Sequence, residues 1–123
     1  MRFLKIAISA EGQGLESRVD QRFGRCRWFT LIDTETGNYQ AVANEQNLNA
    51  AQGAGIQSAE IVSRNGAEAV VTGHCGPKAF RTLTVAGIKI FTGAEGTVAD
   101  ALEKFKTGAL TEAEDADVEG HWV

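Results

Sequence analysis

The chain has few cysteines to cross-link it and few prolines to interrupt its helices and strands, with 2 cysteines and 1 proline among 123 residues. Two cysteines are too few for the disulfide framework of a small secreted domain, and their remaining roles are metal ligation, thiol reactivity or burial. Long apolar runs are also missing, and the short apolar start, interrupted by Lys5, does not fit a signal peptide or a membrane span. We therefore expect a cytoplasmic protein with no membrane partner.

Positive charge is scarce, with 12 lysines and arginines against 16 acidic residues and a formal net charge of −4. A chain this acidic is poorly suited to general nucleic-acid binding, so we expect no nucleic-acid partner. The deficit is concentrated in residues 109–123, which contain acidic residues and no lysine or arginine. We expect residues 1–108 to form the folded domain and residues 109–123 to be a mobile acidic tail.

What the chain does contain is regular hydrophobic periodicity, with 43% hydrophobic residues, enough for the core of one domain. Alternating or short apolar runs predict five strands, at residues 3–9, 28–32, 39–43, 69–72 and 88–92. Helical spacing predicts three helices, at 54–64, 77–86 and from 97 to about 108. This order predicts an α/β fold, a single domain with a five-stranded mixed sheet flanked by three helices.

Four separated segments are predicted to meet at one edge of this sheet. If the second strand runs antiparallel to the first, Arg25 and Cys26 lie beside the end of the first strand. The N-termini of the first two helices, at Gly53–Gly55 and at residues 73–78, then lie on the same edge, because each helix must return the chain to a parallel strand. Ligands of open α/β sheets bind outside the carboxyl ends of strands, so we expect the functional site at this edge.

The residues at this edge combine soft metal ligands with positive charge and helix amino ends. Thiolate and imidazole select copper, zinc, iron or a metal-sulfide cluster, and the helix after Cys75 favours its thiolate form. Cationic side chains and the N–H groups of helix starts favour a bulky anion over a single cation. The metal-ligand candidates are Cys26, His74 and Cys75, and the anion-binding candidates are Arg22, Arg25, Gly53, Gly55, Gly76 and Lys78.

Each candidate also has a purely structural explanation. Free cysteine is among the most buried residue types, and a histidine in an exposed turn needs no special role. The two glycines could serve only helix packing, and the arginines could only solvate a loop. A dinucleotide-binding turn at Gly12-Gln13-Gly14 is not supported, because position 17 is serine and no helix is predicted to begin there.

Five short segments occur in a fixed order: Ile6-Ala7-Ile8-Ser9, Val19 to Arg25, Gly53-Ala54-Gly55-Ile56, Gly73 to Phe80 and Gly93 to Val98. The series resembles the small dinitrogenase iron-molybdenum cofactor-binding family, of the NifX and NifB carboxyl-terminal type, over roughly residues 4–108. The resemblance implies a ribonuclease-H-like α/β fold and a non-enzymatic protein. It implies binding or carrying of a molybdenum-sulfur or iron-molybdenum-sulfur cluster, for cofactor assembly, storage or delivery, with a protein partner in that delivery.

The implied cluster is of the Fe-Mo-S or Mo-Cu-S type, held non-covalently or with the help of a thiolate. The resemblance covers Arg22-Phe23-Gly24-Arg25 and Gly76-Pro77-Lys78 most directly, whereas thiolate ligation is inferred from residue chemistry alone. Two other functions remain as alternatives: a cofactor-free regulatory or interaction domain, and a metal-dependent nuclease suggested only by the implied fold. A two-metal nuclease needs several carboxylates at strand ends, and Asp33 is predicted at the opposite edge.

Overall fold

The computed structural model describes residues 3–46 and 53–116. The strands are β1 (Lys5–Ala10), β2 (Trp28–Asp33), β3 (Tyr39–Ala43), β4 (Ala69–Val71), β5 (Lys89–Thr92) and β6 (Thr111–Glu112). The helices are α1 (Ala54–Arg64), α2 (Pro77–Val85) and α3 (Val98–Lys106), with a short 3₁₀ helix at Phe23–Arg25. Within the described ranges, no helix is both long and apolar enough to cross a membrane.

The strands form a single mixed sheet in the order β3-β2-β1-β4-β5-β6. Strands β1, β4 and β5 are parallel, while β2, β3 and β6 each run antiparallel to their neighbours. Ala10 pairs with Trp28 and Trp28 pairs with Ala43, so the hairpin closes as the sequence predicts. We call the end of the sheet with Ala10, Trp28, Ala43, Val71 and Thr92 the site end, and the opposite end the distal end.

The prediction of five strands is wrong, because residues 111–112 add a sixth. Thr111 and Glu112 pair with Thr92 and Phe91, and the Ala113 N–H donates to the Ile90 carbonyl over 2.8 Å. Residues 110–113, placed in the tail by charge, are therefore part of the domain, because Leu110 and Ala113 also pack against its core. Residues 117–123 lie outside the described residues, and the ribonuclease-H-like architecture stays a prediction.

The sheet has a helix layer on each face, as its strand patterns require. Along β1 the side chains alternate, with Ala7 facing α1 and α2 and with Ile6 and Ile8 facing α3. The first face buries mainly Phe23, Phe29, Leu31, Ile61, Val62, Val70, Leu83 and Ile90, and the second mainly Ile6, Ile8, Ile32, Val71, Val98 and Ala101. Each large apolar side chain fully buried here contributes about 1.5–3 kcal/mol. This packing holds the strand ends in fixed positions.

The helices begin and end close to where the sequence predicts. Helix α1 has the predicted bounds, although its buried face is centred on Gly55, Ser58 and Val62, and Ile56 is only half-buried. Helix α3 begins with a capping box: the Asp100 N–H donates to Thr97 Oγ1 over 3.1 Å, and the Thr97 N–H donates to Asp100 Oδ2 over 3.0 Å. Each of α1, α2 and α3 begins at the site end, after a loop that contributes to the site.

Candidate functional site

The arginine-bearing segment is joined to the turn after β4 by backbone hydrogen bonds. The His74 N–H donates to the Gln21 carbonyl over 2.7 Å, and the Phe23 N–H donates to the His74 carbonyl over 3.2 Å. These bonds make a parallel bridge between Arg22 and His74, which continues the sheet beyond the end of β4. The structure therefore brings Arg22 and His74, both candidate site residues, side by side.

Gly73 allows the close approach that this bridge needs. A Cβ at position 73 would lie 2.8 Å from the Gln21 Cα, closer than real Cβ contacts. The Gln21 side chain also donates through Nε2 to the Ala94 carbonyl over 3.0 Å, and the Gly93 N–H donates to the Gly73 carbonyl over 2.9 Å. Three loops far apart in sequence are thus bonded to one another, and glycine is required where two backbones meet.

A buried polar network attaches the 3₁₀ helix to α1. The Gly24 carbonyl accepts from Gln46 Nε2 over 2.7 Å and lies 3.3 Å from Ser58 Oγ, which is fully buried. Ser58 Oγ lies 3.1 Å from Asn44 Oδ1, and Asn44 Nδ2 donates to the Cys26 carbonyl over 2.8 Å. We call Gly24, Asn44, Gln46 and Ser58 the Ser58 network. A satisfied network of this kind holds its members in one arrangement, so it fixes the position of Arg25 relative to α1.

A surface cleft of about 410 Å³ lies beside the Ser58 network, between the start of β2 and the end of β3. It is lined by Arg25, Cys26, Arg27, Trp28, Ala43, Asn44, Glu45 and Gln46, and we call it the Arg–Trp cleft. Its volume is within the range of small-molecule sites. It has two cationic side chains and one acidic side chain, so its excess of positive charge suits an anion better than a bare cation.

The exposed arginines extend this positive charge along the site end. Arg18 lies beside Thr97 at the start of α3, and Arg22 lies beside His74. Arg25 and Arg27 line the cleft, and all four arginine side chains are solvent-exposed. A row of cationic side chains along one edge attracts anions to that edge even though the whole chain is acidic.

Both cysteines are buried in the core between the sheet and the α1–α2 layer. Cys26 is 3% exposed and Cys75 is 1% exposed. The Cys26 thiol donates to the Phe23 carbonyl over 3.3 Å, and Cys75 Sγ lies 3.7 Å from the Gly76 carbonyl. Burial, reinforced by the nearby Asp20 charge, raises the pKa of Cys26 far above its ordinary value of 9.0. The neutral thiol, which is a poor metal ligand, is the form favoured at Cys26.

Within residues 3–46 and 53–116, no group of three or more His, Cys, Asp or Glu side chains is arranged to hold a metal ion. Cys26, His74 and Cys75 therefore do not converge as a three-ligand site, although all three lie at the site end. Asp33 lies at the distal end, as predicted. The ligand roles of the two cysteines and His74 stay predictions.

Two of the three helix starts at this end are capped by glycine. Gly53 and Gly76 are the N-cap residues of α1 and α2, and both have extended backbone conformations. Because glycine has no side chain to accept from the first turn, the N–H groups there can donate to an anion. Gly55 is buried in α1, while Lys78 is exposed in the first turn of α2. Neither helix start lines the Arg–Trp cleft, so the predicted anion-binding residues do not share one pocket.

Sequence reasoning missed Trp28, Asn44, Gln46 and Ser58 as site residues. A signal existed for Trp28 and Asn44, since the predicted hairpin places both at the strand ends that form the cleft. A serine on the buried face of α1 was also a signal, because a buried hydroxyl requires hydrogen-bond partners.

Comparison with known proteins identifies the family. The family model described as dinitrogenase iron-molybdenum cofactor matches residues 4–108. The structure resembles the apo form of the orange protein from Desulfovibrio gigas, with a TM-score of 0.89, 37% identity, and coverage of 95% of this chain and 98% of that one. It also resembles a Thermotoga protein assigned as NifB, with a TM-score of 0.79, 34% identity, and coverage of 94% and 98% of the two chains.

An uncharacterized protein of Methanocaldococcus jannaschii is 26% identical over 117 residues, covering 93% of this chain and 95% of the relative. The family match spans strands β1 to β5, the three helices and every residue of the site described above. The chain belongs to the dinitrogenase iron-molybdenum cofactor family.

Proposed function

We propose that the protein binds a molybdenum-sulfur or iron-molybdenum-sulfur cluster as cargo at the site end and carries it without catalysing a reaction on it. The observation that carries this proposal is the row of exposed arginines, two of which line the Arg–Trp cleft. Family membership supports it, because the family is defined by a link to the iron-molybdenum cofactor. One structural relative is described as an apo form, the term for a protein without its bound group.

The chemistry of the cargo matches the residues at this edge. Metal-sulfide clusters are anions with diffuse charge on sulfur, and guanidinium is a weakly hydrated cation with several donors in a fixed plane. Arg22, Arg25 and Arg27 would balance the charge, with Lys78 beyond them, while N–H groups at the helix starts would donate to sulfide. Trp28 would provide a flat apolar contact for the cluster surface.

Retention by charge and N–H donors has more support than retention by thiolate. Both thiols are buried, and burial raises the pKa of Cys26, so forming the thiolate that would bind a metal is unfavourable there. Delivery of a cluster held in this way needs no bond to break at sulfur, so a protein partner with stronger ligands could accept it. That partner would approach the site end, where the arginines are exposed.

The test is to supply tetrathiomolybdate with copper(I), and separately with iron(II), under anaerobic conditions. After desalting, molybdenum bound per chain and the visible absorption bands are measured. We expect the wild-type protein to retain molybdenum, and a variant with Arg22→Gln, Arg25→Gln and Arg27→Gln to retain about tenfold less. The matched control is Arg64→Gln, at the distal end of α1, which should retain the wild-type amount.

Cysteine variants separate the two modes of binding. With retention by charge, Cys26→Ser and Cys75→Ser should retain molybdenum in proportion to their folded fraction, measured by circular dichroism on the same samples. Loss of molybdenum from a fully folded cysteine variant would instead assign the binding to thiolate. A wild-type protein that retains no molybdenum with either second metal would contradict the proposed function.

A further inference from the structure

The Arg–Trp cleft contains one residue that opposes the binding of an anion. Glu45 lines the cleft together with Arg25 and Arg27, and all three side chains are solvent-exposed. An ionised carboxylate can only accept hydrogen bonds, so Glu45 has no donor to offer an anion and repels its charge. It leaves the cleft with one net positive charge from two guanidinium groups. The carboxylate therefore lowers the affinity of the cleft for anions.

The backbone at Glu45 is held in place on both sides. The Asn44 side chain donates through Nδ2 to the Cys26 carbonyl over 2.8 Å, and the Gln46 side chain donates through Nε2 to the Gly24 carbonyl over 2.7 Å. Both neighbours of Glu45 are thus tied to the segment that carries the two arginines. The carboxylate can move only as far as its own side chain allows, so it stays beside the cleft.

We propose that Glu45 is a release residue of the Arg–Trp cleft, whose carboxylate repels a bound anion and so keeps it weakly enough held to be passed on. This inference rests on the proposed function, because a carrier must be able to give up its cargo. The anions concerned are those with two or more charges and no proton to donate, such as thiometallates. A protonated anion could instead donate a hydrogen bond to the carboxylate.

A second carboxylate at the site end, that of Asp20, does not have this position. Its Oδ1 accepts from the Arg22 N–H over 3.0 Å, and it does not line the cleft. Among the described residues that line the cleft, Glu45 is the one acidic side chain. A substitution at Glu45 therefore changes the charge of the cleft and leaves the contacts of the arginine-bearing segment in place.

The test measures the binding of tetrathiomolybdate alone, a dianion, to the full chain by equilibrium dialysis and molybdenum analysis. Exposed charges interact weakly, so Glu45→Gln should bind the dianion about fivefold more tightly than wild type. Glu45→Lys should bind it more tightly still, and Glu45→Asp, which keeps the charge, should resemble wild type. The gain should shrink as potassium chloride is added, because salt screens exposed charges. A structural role for the side chain would give neither this order nor this salt dependence.

Release is measured by mixing the loaded protein with an excess of anion-exchange resin and following the molybdenum that stays on the protein. Glu45→Gln should lose molybdenum about fivefold more slowly than wild type, because differences in affinity appear mainly in the dissociation rate. The matched control is Glu35→Gln, which makes the same charge change in the turn at the distal end of the same hairpin. It should bind and release the dianion as wild type does.

The outcomes separate this inference from the proposed function. Equal binding of tetrathiomolybdate by wild type and Glu45→Gln overturns the role of Glu45 and leaves the proposed function untouched. So does an equal gain in Glu35→Gln, because the effect would then come from the net charge of the chain. Tighter binding by Glu45→Gln without any retention of a cluster formed with copper or iron supports the role of Glu45 and contradicts the proposed function. A chain that binds no tetrathiomolybdate in either form overturns both.

Discussion

The two ends of the sheet are built in different ways. At the distal end the turns close locally: the Gly37 N–H donates to the Asp33 carbonyl over 2.8 Å, and the Ile88 N–H donates to the Leu83 carbonyl over 2.9 Å. The bonds between distant segments there extend strand ladders or come from single side chains, such as that of Lys5, whose Nζ donates to the Asn65 carbonyl. At the site end, loops far apart in sequence bond to one another, as Gln21 does to His74 and to Ala94. The distal end connects strands, whereas the site end holds several backbones and a row of arginines in one fixed surface.

A binding edge for a large anion needs donors that are held in place by more than local turns. Donors that keep their positions before the anion arrives lose less entropy when it binds. Local turns can fix only their own residues, so the edge depends on contacts between loops. Changes that separate these loops should therefore cost more than the same changes at the distal end.

The largest expected effect is from Gly73→Ala. The new Cβ would lie 2.8 Å from the Gln21 Cα, and a backbone atom cannot move away as a flexible side chain can. We expect the free energy of unfolding to fall by about 2–3 kcal/mol. Hydrogen exchange at the His74 and Phe23 amides should also become faster, because the bridge to Arg22 opens.

The control is the same substitution at the distal end, Gly87→Ala. Gly87 has φ of 79°, and a Cβ added there would meet no atom within 4 Å, so only the left-handed backbone is strained. That strain costs about 1 kcal/mol, and His74 exchange should not change. Equal destabilisation by both variants, with His74 protection retained in both, would remove the difference between the two ends.

Ser58→Ala should have the next largest effect. It removes a fully buried hydroxyl at the centre of the Ser58 network and leaves Asn44 without one of its partners. We expect a loss of about 1–2 kcal/mol in urea unfolding. Ser63→Ala, an exposed position on the same helix, should change stability by at most about 0.5 kcal/mol. If the two serine variants unfold alike, the network does not hold the site end together.

The smallest expected effect is on the loss of folding stability in acid. In this property the two ends of the sheet should behave alike. The N–H groups of Thr36 and Glu35 lower the pKa of Asp33 at the distal end, and that of Thr97 lowers the pKa of Asp100 at the site end, in each case below 3.8. A carboxyl whose pKa is lowered in the folded state stabilises that state at pH values above its pKa in the unfolded chain. This contribution is lost as the pH falls through the folded-state pKa. Asp33→Asn and Asp100→Asn should therefore each flatten the acid side of the stability curve.

Thermal unfolding measured from neutral pH down to about pH 2–3 tests this. The range must extend below the ordinary carboxyl pKa of about 4. Both carboxylates are exposed, so each variant should move the curve only slightly. A large change in one variant and none in the other would show that the two ends differ in charge as well as in backbone contacts.

The predictable parts of the site were those that follow from strand direction. The hairpin of β2 and β3 and the helices after β3 and β4 placed Arg25, Gly53 and His74 at one edge, and the structure places them there. The unpredictable parts depend on side-chain direction within loops. Cys26 and Cys75 lie at the predicted edge, yet both side chains face the core, because the backbone of each turn is set by its contacts with other loops.

Strand β6 shows the same limit. Thr111 and Glu112 have no periodicity of their own and lie in an acidic segment, so local sequence indicates a tail. They become a strand because β5 offers an unpaired edge, and because Leu110 and Ala113 on either side pack against the core. Such a short strand forms only when its partner is already in place.

The helices, the first five strands, the end of the sheet where charged and polar residues gather, and the family could all be predicted from the amino-acid sequence. These follow from periodicity, caps and strand order, which are properties of neighbouring residues. The burial of the thiols, the cleft shared by Arg25, Arg27 and Trp28, and the contact of Gly73 with Gln21 are visible only in the folded structure. These features depend on contacts between residues far apart in the chain, and such contacts exist only once the sheet and helices have packed.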